Sequence, residues 1–138
     1  MRRAQALKSY KATNLHDRTA GKSPEELVAL LFDTACSSVQ QSKNALSKGE
    51  LEMFHESTSK AMQIVLGLRE ILDMEEGGEL AERLADTYTS IAASIFKAKR
   101  ERNDSDLGKI YLALAELRGA WQTVSGASEL SLIHISEP

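Results

Sequence analysis

The chain has 138 residues, of which 42% are hydrophobic and 5% aromatic, so it can bury the core of one small domain. Its formal net charge of −3 argues against a nucleic-acid-binding protein, because such proteins usually carry a clear basic excess. The single cysteine, Cys36, excludes a disulfide framework and a thiolate metal cluster. No apolar run reaches the roughly 18 residues of a membrane span, and no apolar stretch follows the basic start at Arg2 and Arg3. We therefore expect a cytoplasmic protein with no secretory signal and no membrane insertion.

Residues 1–22 are predicted to form a polar N-terminal arm or short helix ahead of the folded domain. The arm contains few apolar side chains, but Leu7 and Tyr10 stand three residues apart. This spacing puts both side chains on one side of a helical turn. The arm is therefore a candidate contact segment.

The first long helix is predicted from Pro24 to about Leu46. Ser23 is a good N-cap, and Pro24 suits the first helical position, where no backbone N–H is needed. Glu26 stands three residues after Ser23 and can complete a capping box with it. The dipeptide at 48–49, Lys-Gly, is typical of a helix end.

Three more amphipathic segments follow, at about residues 50–73, 79–102 and 105–124, with a turn predicted at 74–78. Their apolar residues recur three and four apart, as in the helices of a bundle. Short connections make sequential helices antiparallel neighbours, so the predicted fold class is all-α, an antiparallel up-down four-helix bundle over residues 23–125. The predicted core stripes are Val28, Leu31, Ala35, Val39 and Leu46; Phe54, Thr58, Ala61, Val65, Leu68 and Leu72; Leu80, Leu84, Tyr88, Ile91, Ile95 and Ala98; and Leu107, Ile110, Leu114, Leu117, Trp121 and Val124.

Residues 126–138 are predicted to be an unstructured tail. Its last nine residues, 130–138, resemble one reading frame of a transposase adapter used in preparing DNA sequencing libraries. We interpret them as adapter read-through, which would end the natural sequence near Glu129. Their deletion is expected to leave the melting temperature unchanged.

Catalytic, metal and phosphate motifs are incomplete in this sequence. The stretch at 21–23, Gly-Lys-Ser, looks like the end of a P-loop, but that motif needs a glycine where this chain has His16, and a preceding strand. Glu52 and His55 have the spacing of a di-iron bundle pair, but such a site needs a second pair and two more carboxylates. The remaining histidine, His134, lies in the tail, so no catalytic triad can be assembled either. We predict no enzyme activity, no cofactor and no metal.

Basic residues crowd the predicted end of the third helix, at Lys97, Lys99, Arg100 and Arg102. There they complement the negative end of the helix dipole. A nucleic-acid patch is the alternative interpretation, which the net charge of −3 disfavours.

Five sequence fragments occur along the chain in a characteristic order and spacing. They are Leu7-Lys8-Ser9-Tyr10; Ser23-Pro24 with Leu27-Val28 and Leu31-Phe32-Asp33; Leu72-Asp73-x-Glu75-x-Gly77-Gly78-Glu79; Tyr88 with Arg102-Asn103-Asp104; and Ala120-Trp121. The first is an apolar residue, two spacers and a tyrosine, and the second matches the pattern SP-x-x-L-(I/V)-x-x-L-(Y/F)-D. In this order the fragments resemble the flagellin-export chaperones of the FliS family. Where family members often carry a second aromatic residue after the helix-three tyrosine, this chain has Thr89-Ser90-Ile91.

The resemblance implies a cytoplasmic export chaperone. Such a protein binds the disordered C-terminal segment of flagellin, prevents its premature polymerisation and assists its delivery to the flagellar type III export apparatus. The partners implied are that segment and, through the chaperone–client complex, the export gate. The expected oligomeric state is a monomer or weak dimer. The alternative is a structural four-helix bundle whose apolar surface is an oligomer interface.

The candidate flagellin-binding residues come from two sources. Leu7 and Tyr10 follow from the match to the family's arm motif. Ile64, Ile71 and Tyr111 are chosen because they flank the predicted core stripes. For these three, an ordinary position at the edge of the core is the alternative.

Overall fold

The computed structural model describes residues 22–124 of the chain, which form four α-helices and no β-strand. Helix α1 packs against α2 and α4, and α3 packs against the same two helices. The predicted all-α four-helix bundle is confirmed. Among the described helices, none combines the length and hydropathy that crossing a membrane requires. The helices are α1 (Pro24–Ser47), α2 (Leu51–Glu70), α3 (Met74–Glu101) and α4 (Asp104–Val124).

The start of α1 has the predicted capping box. The Ser23 hydroxyl accepts a hydrogen bond from the Glu26 N–H at 3.2 Å, and the Ser23 N–H donates to Glu26 Oε1 at 2.9 Å. The bond from the Ser23 N–H, and after it hydrogen bonding by the Ser23 side chain, lowers the pKa of the Glu26 carboxyl, because both stabilise its charged form. At the other end, Gly49 reverses the chain with a φ of 73°, in the left-handed region.

The connection between α2 and α3 differs from the prediction. Helix α2 ends at Glu70 rather than at Asp73, and α3 begins at Met74, where a turn was predicted. Asp73 causes the early start, since its carboxylate accepts hydrogen bonds from the backbone N–H groups of the second and third residues of α3, at 3.1 and 3.0 Å. The change of chain direction expected in this turn occurs at Gly78, whose φ of 57° and ψ of −136° divide α3 into two helical parts.

Most of the predicted core stripe residues are buried. Leu46, Leu84, Leu117 and Trp121 are only partly buried against this core, and the side chain of Val124 lies outside the described part. The prediction for Leu80 is wrong, because its side chain is 53% exposed. It lies near the start of α3, on the edge that faces α4. Helices α3 and α4 pack less extensively than any other neighbouring pair in the bundle.

The contact between α1 and α2 is closed by buried hydroxyl groups as well as by apolar side chains. The hydroxyls of Ser42 and Ser57 are 2.8 Å apart across the two helices. Ser42 also donates to the Ser38 carbonyl, and Thr58 to the Phe54 carbonyl, each at 2.8 Å. Within residues 22–124, every buried side-chain nitrogen or oxygen has a hydrogen-bond partner. The buried hydroxyl groups between α1 and α2 are therefore satisfied within the bundle.

Candidate binding surface

The structure separates the five residues predicted to bind a client. Leu7 and Tyr10 lie outside the described residues. Ile64 and Ile71 are each 1% exposed, so the expectation that they flank the core is wrong. Ile64 faces the bundle interior, and Ile71 folds into the core from the short connection after α2. Neither can contact a partner while the bundle keeps this conformation. Tyr111 is partly buried on the α1–α4 side.

The exposed large hydrophobic side chains are unevenly distributed over the bundle. Within residues 22–124, three lie on α2, three on α3, one on α4 and none on α1. An exposed leucine or methionine is ordinary when isolated, whereas a concentration on two neighbouring helices marks a binding surface. The six on α2 and α3 are Leu51, Met53, Leu66, Met74, Leu80 and Phe96.

Helix α3 carries exposed apolar side chains on both of its edges. Tyr88 points into the core, where it is 5% exposed and its ring lies 6.3 Å from that of Phe32. Leu80 and Phe96 stand eight residues before and after Tyr88, and at about 100° per residue they fall about 80° to either side of it. Phe96 is 51% exposed. Two opposite edges of α3 are therefore incompletely covered by its neighbours.

The edge of α3 that carries Phe96 faces α2. Lys99 lies on the same side of Tyr88 as Phe96, and its Nζ donates to Ser59 Oγ on α2 at 2.7 Å. Helices α2 and α3 run antiparallel. Phe96 stands three residues before Lys99 on α3, and Met62 stands three residues after Ser59 on α2. Phe96 and Met62 therefore lie at the same height along the bundle axis. Leu66, 40% exposed, follows one further turn along α2. We call Met62, Leu66 and Phe96 the α2–α3 patch.

The opposite edge of α3 faces α4, the neighbour with which it packs least extensively. Leu84 on α3 and Leu117 on α4 are only partly buried on this side, and Leu80 extends the apolar strip toward the start of α3. We call Leu80, Leu84 and Leu117 the α3–α4 groove. It gives α3 a second apolar strip, separate from the α2–α3 patch.

The two apolar strips have surroundings of opposite charge. Beside Phe96 are Lys97, Lys99 and Arg100, and the Arg100 guanidinium carbon lies 5.7 Å from the centre of the Phe96 ring. Acidic residues at positions 76, 79 and 82 surround Leu80, and Glu79 forms an ion pair with Arg83 at 3.3 Å. A bound segment would therefore meet a positive field at one end of α3 and a negative field at the other.

The residues considered for metal or redox chemistry lie apart from this surface. Glu52 and His55 are both exposed, and no group of three or more potential ligands occurs in residues 22–124. Cys36 is 2% exposed, and burial raises the pKa of its thiol, which stays protonated at neutral pH. Cys36 therefore packs as a small hydrophobic residue in the core.

Sequence reasoning missed Phe96 and Leu66. The predicted stripe of α3 used only the residues that repeat at three and four, so Phe96 was left outside it. A signal was present, since Phe96 and Leu80 are placed symmetrically about Tyr88 and a single core stripe cannot bury both. Leu66 gave no comparable signal, because one exposed leucine on a helix needs no explanation.

The two incompletely covered apolar strips on α3 are the kind of surface found on helical protein-binding modules. The sequence profile described as flagellar protein FliS matches residues 6–128. The chain belongs to the FliS family, a family of flagellar chaperones rather than of enzymes.

Three relatives carry the name of flagellar secretion chaperone. FliS of Vibrio cholerae is 27% identical over 119 residues, which cover 86% of this chain and 88% of the relative. FliSB of Pseudomonas aeruginosa is 28% identical, over 88% of this chain and 96% of the relative. FliS of Salmonella typhimurium is also 28% identical, over 88% of this chain and 91% of the relative.

Proposed function

We propose that this protein is a cytoplasmic export chaperone that binds the disordered C-terminal segment of flagellin. In this role it prevents premature polymerisation and assists delivery to the flagellar type III export apparatus, which the chaperone–client complex contacts. Membership of the FliS family supports this role. The observation that carries it is the concentration of exposed large hydrophobic side chains on α2 and α3.

The proposed binding mode is an amphipathic helix lying along α3. A segment that is disordered when free must fold as it binds, which costs about 2–5 kcal/mol of the gross interaction energy. Completing the burial of a half-exposed leucine or phenylalanine contributes about 1 kcal/mol. The α2–α3 patch contains two such side chains, Leu66 and Phe96, so alone it offsets only the lower end of the ordering cost. We therefore propose that the client contacts both edges of α3.

The charges around α3 suggest how the client is oriented. We propose that an acidic part of the client lies beside Lys97 and Arg100, and a basic part beside Glu79 and Glu82. Charges at the rim of an apolar contact mainly fix register and raise the association rate. Binding should consequently become slower at high salt, while the apolar contacts remain.

Leu7 and Tyr10 are proposed as additional client contacts from the arm. An aromatic residue with a hydroxyl group suits an interface because it offers apolar area and a polar end. Ile64 and Ile71 are not retained as contacts, since both are 1% exposed. Tyr111 is not retained either, because it lies on the α1–α4 side, away from α3 edges.

The proposal is tested by calorimetric titration of a flagellin C-terminal segment from the same source. The control segment has serine at the apolar positions of one helix face. Saturable binding of the first segment and none of the second is expected. Absence of binding to the wild-type chaperone would contradict the proposed function.

The same titration tests the arm. Tyr10→Ala and Leu7→Ala are each expected to weaken binding, with Tyr10→Ala weaker by roughly thirtyfold if it removes an anchor worth about 2 kcal/mol. Unchanged or tighter binding in both variants would contradict a contact role for the arm while leaving the α3 proposal standing.

A further inference from the structure

A groove between α1 and α4 lies outside both apolar strips of α3. It contains an open cavity of about 320 Å³, near the lower end of the roughly 300–1,000 Å³ of ligand pockets. Such pockets are mostly lined by apolar side chains, whereas most side chains here end in an amide, a hydroxyl or a guanidinium. We call this region the α1–α4 groove, and its polar lining residues are Ser37, Gln40, Gln41, Asn44, Tyr111 and Arg118. An occupant of the groove must therefore supply hydrogen-bonding groups.

The two helices arrange the polar side chains along the length of the groove. Tyr111 and Arg118 are seven residues apart on α4, so they lie within about 20° of each other around the helix. Gln40 likewise stands seven residues after Asp33, the α1 residue that pairs with Arg118. Because α1 and α4 run antiparallel, Gln40 is level with Tyr111. The groove continues to Asn44, eleven residues after Asp33, which gives it a length of about 16 Å.

Arg118 supplies the positive charge of the groove, and little of its hydrogen-bonding capacity is used. Its Nη1 donates to Asp33 Oδ1 at 3.4 Å. A guanidinium has five N–H donors and commonly binds a carboxylate through two parallel bonds of about 2.7–2.9 Å. The Asp33 side chain is 51% exposed, and ion pairs at such exposed positions contribute little. Arg118 can therefore leave Asp33 for a better-placed carboxylate.

Lys43, at the other end of the contact between α1 and α4, is more firmly held than Arg118. Its Nζ donates to the Asp104 carbonyl at 3.2 Å and to the Asp104 carboxylate at 3.0 Å. These two bonds tie Lys43 to the first residue of α4. Of these two basic residues, Arg118 is therefore the better placed to bind an anion.

The amide side chains of the groove match the hydrogen bonds of a peptide main chain. A primary amide carries both donors and an acceptor, as a peptide group does. Gln40, Gln41 and Asn44 place three such amides along α1. Gln40 donates to Asn44 at 3.4 Å, a long bond that a bound peptide can replace. At about 3.3 Å per residue, the groove holds an extended segment of about five residues.

We propose that the α1–α4 groove binds an extended peptide segment of a second protein, with a carboxylate of that segment on Arg118. A C-terminal carboxylate and the side chain of an aspartate or glutamate both present the two oxygens that a guanidinium binds. The groove shares no residue with the α2–α3 patch or the α3–α4 groove. The chaperone can therefore hold a client on α3 and a second protein here at the same time.

A titration followed by NMR measures this binding with three short peptides. The first is an acetylated five-residue peptide of serine and alanine with a free C-terminal carboxylate. The second is the same peptide with an amidated end, and the third is the amidated peptide with a central glutamate. Saturable shifts of the side-chain amide signals of Gln40, Gln41 and Asn44 are expected with a charged peptide, at millimolar concentration, and none with the neutral peptide. The charged peptide that binds identifies the source of the carboxylate, and binding of neither would overturn the proposal.

Sodium acetate distinguishes a peptide site from a site for any small anion. Acetate offers a carboxylate but no peptide groups to Gln40, Gln41 and Asn44. The charged peptide should therefore bind at least about tenfold more tightly than acetate. Equal binding of acetate would overturn the assignment of the groove to a peptide.

Three variants test the contact with the carboxylate, and each changes a partly exposed ion pair, so each should fold. Arg118→Gln removes the positive charge and should weaken peptide binding by about tenfold or more. Asp33→Asn removes the competing carboxylate and should strengthen binding by about threefold. Lys43→Gln is the matched control and should bind like the wild type. Unchanged binding in Arg118→Gln, or equal weakening in Lys43→Gln, would overturn the proposal.

This site and the client role can fail separately. Arg118→Gln should bind the flagellin C-terminal segment as the wild type does, and a saturating charged peptide should leave the affinity for that segment unchanged. Both results would support a separate site for a second protein. Loss of client binding in Arg118→Gln, with the fold intact, would show that the groove belongs to the client site and would overturn the assignment.

Discussion

Helices α1 and α3 occupy equivalent positions in the bundle, each packed between α2 and α4, yet they differ in how completely their apolar residues are covered. Helix α1 begins at a capping box and leaves no large hydrophobic side chain exposed. Helix α3 is interrupted at Gly78 and exposes Leu80 and Phe96 on opposite edges. Both helices are amphipathic, so amphipathicity alone does not separate a structural helix from a binding helix. The difference is that apolar side chains extend over a wider part of the circumference of α3 than α2 and α4 cover.

The comparison can be tested first in the core. Leu31→Ala in α1 removes a side chain that is 1% exposed and should lower the free energy of unfolding by about 3–4 kcal/mol. Phe96→Ala in α3 removes a larger side chain that is 51% exposed and should cost less than about 1 kcal/mol. Chemical denaturation measures both. A Phe96→Ala cost as large as that of Leu31→Ala would mean that the two helices do not differ in this way.

Trp121 tests how α4 closes over the start of α1. It is partly buried, and its indole N–H donates to the Glu25 carbonyl at 3.2 Å. Full burial would make Trp121→Ala cost about 3–5 kcal/mol, so partial exposure reduces the expected loss to about 2–3 kcal/mol. Trp121→Phe keeps most of the packing and should lose about 1 kcal/mol with the hydrogen bond. Equal losses in the two variants would show that packing contributes little here.

Gly78 tests whether the interruption of α3 is a requirement of the backbone. A Cβ added there would meet no atom within 4 Å, so any cost of Gly78→Ala comes from its φ of 57° and ψ of −136°. We expect a loss of about 1–3 kcal/mol. Gly119→Ala is the matched control, because it also has open space but lies inside α4, and it should gain up to about 1 kcal/mol. Thermal unfolding of both variants should show shifts of opposite sign.

The cap of α1 should have the smallest effect. Ser23→Ala removes the hydroxyl that accepts from Glu26 and should cost about 1 kcal/mol. Folding lowers the pKa of Glu26 from its ordinary value of 4.5. The charged carboxylate therefore stabilises the fold fully at pH values above 4.5, and this stabilisation is lost as the pH falls through the lowered pKa. Glu26→Gln should therefore differ from the wild type most near neutral pH. A difference that grows toward acidic pH would contradict the assignment.

The sequence predicted the bundle well because its signals were local. Ser23, Pro24 and Glu26 define a helix start by side-chain and backbone chemistry that needs no tertiary partner. The site was harder to predict because exposure depends on neighbours. Ile64 and Phe96 are both apolar residues beside a stripe, and only the packing of the other helices buries the first and leaves the second exposed.

The central claim is that the uncovered edges of α3 bind the client, and one titration tests it most directly. The double variant Leu80→Ser with Phe96→Ser removes one large side chain from each edge, and Leu112→Ser, on α4 and outside both apolar strips, is the control. Calorimetric titration of the flagellin C-terminal segment should show binding to the double variant weakened by about tenfold or more, since about 2 kcal/mol of apolar contact is lost. The control should bind like the wild type, and both should keep the wild-type helical content. Wild-type affinity in the double variant would contradict the account.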